Sequence, residues 1–199
     1  MKVSVSPSVI LMGFIIFISG NIKQAIIPLV AALIHELGHI FFAFLFNVRI
    51  ERIKLNLFGA IINISPLVCS YKREAMLAAA GPMCNIISAV IAFPLIYNAD
   101  GAPQKYIILF VVSSFLFAFI NLLPAENFDG GRILNCFLLS IFSPAIADRV
   151  LGWISLFCIF FLWGISVYFI LRTGSYISLF VFSGTLFSKI YLIHTKKRD

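Results

Sequence analysis

A membrane-crossing helix needs about 20 largely apolar residues, and this 199-residue chain supplies such runs one after another. Ala25–Phe46, Met76–Tyr97 and Val150–Leu171 give 22 residues each, and Tyr106–Leu123 gives 18. Tyr176–Ile193 adds 18 more, interrupted only by Lys189, which lies near enough to the end of its run to snorkel. A shorter run, Val9–Ser19, comes first. With Lys2 ahead of it, it has the look of a signal-peptide core, but no A-x-A-like site follows, so it is read as a retained first helix.

Composition closes off the alternatives. The chain is 61% hydrophobic and 12% charged, whereas soluble domains run at roughly 45–50% and about 25%. Twenty-two phenylalanines against eight acidic residues leave too little polar surface to coat a soluble globule. A cytosolic protein, a disordered chain, a secreted disulfide scaffold and a nucleic-acid-binding domain are excluded, and no nucleic-acid partner is expected. The four cysteines, Cys69, Cys84, Cys136 and Cys158, form no CxxC pair and read as small buried side chains. The expected fold is therefore an all-α polytopic membrane protein in a single domain, 1–199. Its spans are placed at about 8–22, 25–46, 76–97, 106–123, 150–171 and 176–193. With six spans both termini share one side. Twelve of the fifteen Lys and Arg residues then flank that side and only Lys23, Lys105 and Arg172 the other. By the positive-inside rule both termini are expected to be cytoplasmic.

Two stretches interrupt the helical pattern. Val48–Ile64 is rich in β-branched residues, with Ile53, Leu55 and Leu57 alternating and a turn-like Phe58-Gly59-Ala60. It reads as a short β-hairpin or sheet between the second and third helices, with Ile53–Leu57 as an open edge for an extended peptide. Pro124–Arg132, PAENFDGGR, breaks an apolar run with a proline, two acids and a glycine pair. Irregular backbone is tolerated at membrane depth only inside protein or beside a wet cavity.

Ionisable groups within spans are costly, about 2.5–3.5 kcal/mol each at a bilayer centre on insertion scales. The second span nevertheless holds His35-Glu36-Leu37-Gly38-His39. Spacing of four stacks both imidazoles on one helical face, with the Glu36 carboxylate entering from the side. In an HExxH helix two neutral imidazoles bind zinc and the glutamate acts as general base. The alternative is a pair of hydrogen-bonded core histidines, which a hydrocarbon-matched helix disfavours. Catalytic zinc generally takes three protein ligands and leaves one position open. Asp129, followed by Gly130 and Gly131, is the stronger candidate for the third, and Glu126 the weaker. Ala78-Ala79-Ala80-Gly81-Pro82 suits close helix packing, with Asn85 one turn later as a candidate for touching the site. Asn121 could hydrogen-bond substrate or an oxyanion, or cap its helix.

HELGH at 35–39, AAAGPMCN at 78–85 and NLLPAENFDGGR at 121–132 together resemble the site-2 protease family of intramembrane zinc metalloproteases, peptidase family M50. The resemblance runs over essentially the whole chain. It implies His35, His39 and Asp129 as ligands of Zn2+, Glu36 as catalytic base, Asn121 as a substrate or intermediate contact, and a hairpin, with Gly59, beside the cleft. Ala125-Glu126-Asn127 stands where many members have a second proline. The six-span plan is similar to the sporulation-type branch, but neither a PDZ insertion nor a nucleotide-sensing CBS domain is expected. The implied function is an intramembrane zinc endopeptidase cleaving a membrane-tethered protein within or near the bilayer, with a membrane-bound regulator. The competing reading is a proteolytically inactive zinc-binding scaffold or a transporter.

Overall fold

A computed structural model describes residues 2–5, 22–48, 50–56, 59–64, 70–126, 128–173 and 184. The expected first and sixth spans fall outside these residues apart from Ile22 and Gly184. Four described helical stretches are long and apolar enough to cross a membrane: Ile26–Leu45, Tyr71–Asn98, Ala102–Asn121 and Pro144–Tyr168. They present Phe44, Trp153, Phe157 and Phe161 outward, a surface that suits lipid and not water. This is a membrane protein, mainly helical. The chain divides into two compact units, Met1–Asn121 and Leu122–Asp199.

In the first unit, helix α1 (Ile22–Leu45) packs with α2 (Tyr71–Ala92) and α3 (Ala102–Asn121). Helix α1 ends in a motif that its sequence dictates. Asn47 takes φ 51°, the left-handed conformation that asparagine tolerates better than most residues. The Val48 N–H then donates to the Ala43 carbonyl at 2.9 Å and the Asn47 N–H to Phe44 at 3.0 Å, the crossed pair of a Schellman cap. Val48 folds back to join Ala43 and Leu77 in a small apolar cluster, which fixes where the chain leaves the helix.

Helix α2 starts at Tyr71, five residues before its apolar run. Ser70 caps it, accepting from the Arg73 N–H at 3.5 Å, and Glu74 lies in the first turn. Hydropathy misses this polar first turn because side-chain capping and the helix dipole, not burial, hold it. A 3-10 segment, Phe93–Asn98, prolongs α2.

Three short strands are also described in this unit: β1 (Lys2–Val5), β2 (Ile50–Asn56) and β3 (Gly59–Ile64). They lie in the order β1-β2-β3, with β2 parallel to β1 and antiparallel to β3. The expectation that Ile53–Leu57 offers an open edge is corrected by this order. Ile53, Lys54 and Leu55 are paired on both sides, to Val3–Val5 and to Ala60–Ile62. A two-strand reading cannot foresee a third strand contributed by the distant N-terminus. Among the described strands, the outer ones are β1 and β3.

In the second unit, the segment after Asn121 turns into α4 (Asp129–Ile141), followed by α5 (Pro144–Thr173). The 13-residue α4 is too short to span a bilayer. It opens on the acid of the DGG motif, which the sequence reading treats as irregular backbone. Leu138 packs with Ala147 and Leu151 of α5, and the Glu126 N–H donates to Ser155 Oγ at 3.0 Å.

Helices α1 and α2 approach closely at Gly38. A Cβ there would stand 2.8 Å from the Ala80 carbonyl oxygen and 3.0 Å from Cys84 Cβ. At Gly164 in α5 a Cβ would meet no described atom within 4 Å. Gly38→Ala should therefore destabilise the protein by about 1–3 kcal/mol through overpacking. Gly164→Ala should be neutral or stabilising by about 0.5–1 kcal/mol, the usual helix-interior gain. Thermal unfolding in detergent micelles checks both. A lowered midpoint is expected only for Gly38→Ala.

Candidate metal centre

His35 and His39 project from one face of α1 and are both buried, at 5% and 4% exposure. Their Nε2 atoms lie 3.2 Å apart and the rings meet edge-on, with centroids 4.9 Å apart at 81°. The Nε2 atoms converge while the Nδ1 atoms reach to different partners on α2. His39 Nδ1–H donates to the Leu77 carbonyl at 2.9 Å, so in the neutral ring Nε2 carries the lone pair. His35 Nδ1 lies 3.4 Å from Asn85 Nδ2.

Leu77, Gly81 and Asn85 are spaced by four and form one stripe along α2. The middle member faces the imidazole pair. A Cβ on Gly81 would stand 2.8 Å from His35 Nε2 and would overlap His39 Nε2. The two ring nitrogens thus converge on a point that only a glycine leaves clear. Sequence reading assigns Gly81 to helix packing and does not single out Leu77, whose backbone carbonyl has no sequence signature. The four-residue spacing from Gly81 to Asn85 was the available signal.

This arrangement fits a zinc ion. With Zn–N distances of about 2.0–2.1 Å and a tetrahedral angle, two ligating nitrogens stand about 3.3 Å apart. The observed separation is 3.2 Å. An imidazole that ligates through Nε2 almost always gives its other N–H to a carbonyl, carboxylate or water, as His39 does. Glu36, partly buried, follows His35 directly on the same helix.

In the second unit, Asp129 is the first residue of α4 and is 8% exposed. The N-cap residue Phe128 offers no side-chain hydrogen bond, so the carboxylate is the negative charge nearest the positive end of the helix dipole. Arg132 Nη1 stands 3.7 Å from its Oδ1. The glycines after it serve close approach. A Cβ on Gly130 would overlap the Leu122 carbonyl, and one on Gly131 the Ala125 carbonyl. The 122–126 turn thereby lies directly on the first turn of α4. Glu126, the weaker third-ligand candidate, is half-buried in that turn.

The remaining predicted residues are placed as follows. Asn85 is fully buried behind His35. Asn121 is the half-buried last residue of α3, and its Nδ2 donates to the Phe117 carbonyl at 3.0 Å, a bond within its own helix. Gly59 opens β3 and pairs with Asn56.

Comparison with known proteins adds the family. Residues 23–101, which hold nearly all of the HELGH helix, strands β2 and β3 and all of α2, match the model of peptidase family M50. That segment is the chain's peptidase family M50 match. It is 30% identical over 139 residues to stage IV sporulation protein FB of Bacillus subtilis, covering 67% of this chain and 46% of that protein. It is also 30% identical over 115 residues to the zinc metalloprotease MJ0392 of Methanocaldococcus jannaschii, covering 57% of this chain and 33% of that one. The chain thus spans less than half the length of these two relatives. The solved site-2 protease of M. jannaschii superposes with a TM-score of 0.71 at 21% identity, over 96% of this chain and 89% of that one. The chain therefore shares its fold.

Gly81→Ala isolates the cleared point. In an ordinary helix interior the change would stabilise by about 0.5–1 kcal/mol. Here the methyl collides with both Nε2 atoms, so the purified variant should retain its helicity yet lose most bound zinc, read by elemental analysis. Full zinc occupancy in Gly81→Ala would show that the pair does not converge on a metal.

Proposed function

We propose that this chain is an intramembrane zinc endopeptidase that cleaves a membrane-tethered protein within or near the bilayer. The observation that carries the reading is the histidine pair. Two buried imidazoles 3.2 Å apart, with a glutamate between them in a membrane-length helix, constitute a metal-hydrolase site where hydrocarbon disfavours any ionisable group. His35, His39 and Asp129 are buried donors of the kind that a catalytic zinc takes. Asp129 is preferred to Glu126 because it is the more buried acid and the glycine pair after it accommodates the adjacent turn. A zinc ion held by these three supplies Lewis acidity toward the scissile carbonyl and an attacking water.

The chain's own residues do the rest. Glu36 accepts a proton from the water and delivers it to the leaving amine, which completes the hydrolysis without a covalent enzyme intermediate. Asn121 keeps its carbonyl oxygen and its second amide hydrogen for the substrate backbone, since one amide hydrogen is taken by Phe117. A helical substrate must unwind to expose a scissile bond, and each bare amide then needs a partner in lipid. An outer strand supplies such partners by strand addition. With β2 paired on both sides, β3 and its first residue Gly59 take that role beside the cleft. The further elements of this reading are six spans with cytoplasmic termini, argued from the charge bias, and a membrane-bound regulator. His39 lies seven residues from Phe46, roughly 10 Å along the helix. The chemistry therefore lies at shallow depth on the cytoplasmic side.

Two experiments test this reading. Glu36→Gln should lower cleavage of a co-expressed membrane-tethered substrate by about 10²–10⁴-fold, the usual worth of a general base, and leave bound zinc near wild type. Undiminished cleavage would remove Glu36 from the mechanism, and zinc binding with no cleavage by the wild type of any tethered substrate would favour the inactive scaffold. Asp129→Ala should lose zinc and activity together, and Glu126→Ala should keep zinc. The reverse pattern in metal analysis would exchange the two acids.

A further inference from the structure

The two imidazoles are held by partners of different kinds. His39 Nδ1–H donates to a backbone carbonyl, Leu77, at 2.9 Å, and no side-chain change removes that acceptor. His35 Nδ1 instead faces a side-chain amide, with Asn85 Nδ2 3.4 Å away. Asn85 is fully buried, and its Oδ1 has no hydrogen-bond partner. This pairing conflicts with metal binding. An amide nitrogen only donates, so His35 Nδ1 would have to be the bare nitrogen and Nε2 would carry the proton. That proton would point at His39 Nε2, where both lone pairs are needed for a metal.

We propose that Asn85 is the positioning residue for His35. Its amide is turned so that Oδ1 accepts from His35 Nδ1–H, which fixes the tautomer that frees Nε2 for zinc. The proposal rests on the zinc reading above and goes beyond it by naming what orients the first ligand. A half-turn about χ2 exchanges two nearly isosteric groups. It breaks only the long 3.4 Å contact, because the oxygen that moves has no bond to lose. Burial makes the choice consequential, because a buried N–H facing a second donor costs more than one that solvent can reach. In this role Asn85 acts through the imidazole. With Leu77 and Gly81 on the same stripe, α2 then serves the α1 pair at three points: an acceptor for each Nδ1–H, and an empty Cβ position where the Nε2 atoms converge.

The test uses the full-length chain purified in detergent, with zinc affinity measured by chelator competition. Asn85→Leu should bind zinc about 10–100-fold more weakly, the usual loss when the partner of a ligating histidine is removed. Asn85→Asp, whose carboxylate oxygen can accept the same bond, should recover affinity to within a few-fold of wild type. Wild-type affinity in Asn85→Leu, or an Asn85→Asp variant as weak as Asn85→Leu, would overturn the proposal. Should Asn85→Leu fail to fold, NMR of the zinc-loaded wild type decides. With both resonances assigned, a weak or absent NOE between His35 Nδ1–H and the Asn85 amide protons is expected. A strong NOE would place the NH2 group against the ring and overturn the proposal. A wild type that binds no zinc would sink both the metal reading and this inference. A wild type that binds zinc with an unaffected Asn85→Leu sinks this inference alone.

Discussion

Two imidazole nitrogens 3.2 Å apart cannot be left to themselves in a hydrocarbon environment. Their rings need partners, and burial keeps solvent from supplying them. The packing of α2 on α1 answers these demands. A carbonyl and an amide lie behind the two rings, and Gly81 leaves the space where the nitrogens meet. Removing water from the partners is what makes them decisive, because a buried imidazole N–H without an acceptor costs about 1–3 kcal/mol.

Close approach is the structural means. Gly38 lets the backbone of α2 come against α1 one residue from His39, and Gly81 lets the imidazoles come against α2. Membrane helices gain little from burying apolar side chains against one another, because lipid is equally apolar, so small residues that permit backbone contact carry the association. Gly130 and Gly131 apply the same device in the second unit, where the 122–126 backbone lies on the first turn that bears Asp129. Each ionisable residue of the proposed centre is thus next to, or four residues or fewer from, a glycine that lets backbone fill the surrounding volume.

Side chains that sequence patterns treat alike separate in this setting. Asn85 and Asn121 are both amides on apolar helices. Asn85 is fully buried against a ring nitrogen, whereas Asn121 sits half-buried at a helix end and donates to its own helix. The first is suited to orienting a ligand, and the second retains capacity for a substrate. Glu126 and Asp129 differ likewise. The glutamate lies in the turn and engages Ser155 through its backbone, while the aspartate opens a helix whose dipole favours its charge.

The sequence by itself determined the membrane class, four of the helical stretches and the HELGH pair. These follow from one-dimensional physics: run length against bilayer thickness, the cost of charge in lipid, and the four-residue stacking of a helix. The helix start at Tyr71 shifted from its apolar run because caps and polar first turns are not written in hydropathy. Tertiary structure alone decided that β1 flanks β2, since pairing between residues about 50 apart leaves no local signal. It alone showed that Gly81 lies against both imidazoles, that the Leu77 carbonyl receives one, and that Asn85 stands behind the other. Those roles belong to a backbone carbonyl, a missing side chain and an amide seen from the far side of a ring. They exist only once α2 is laid across α1.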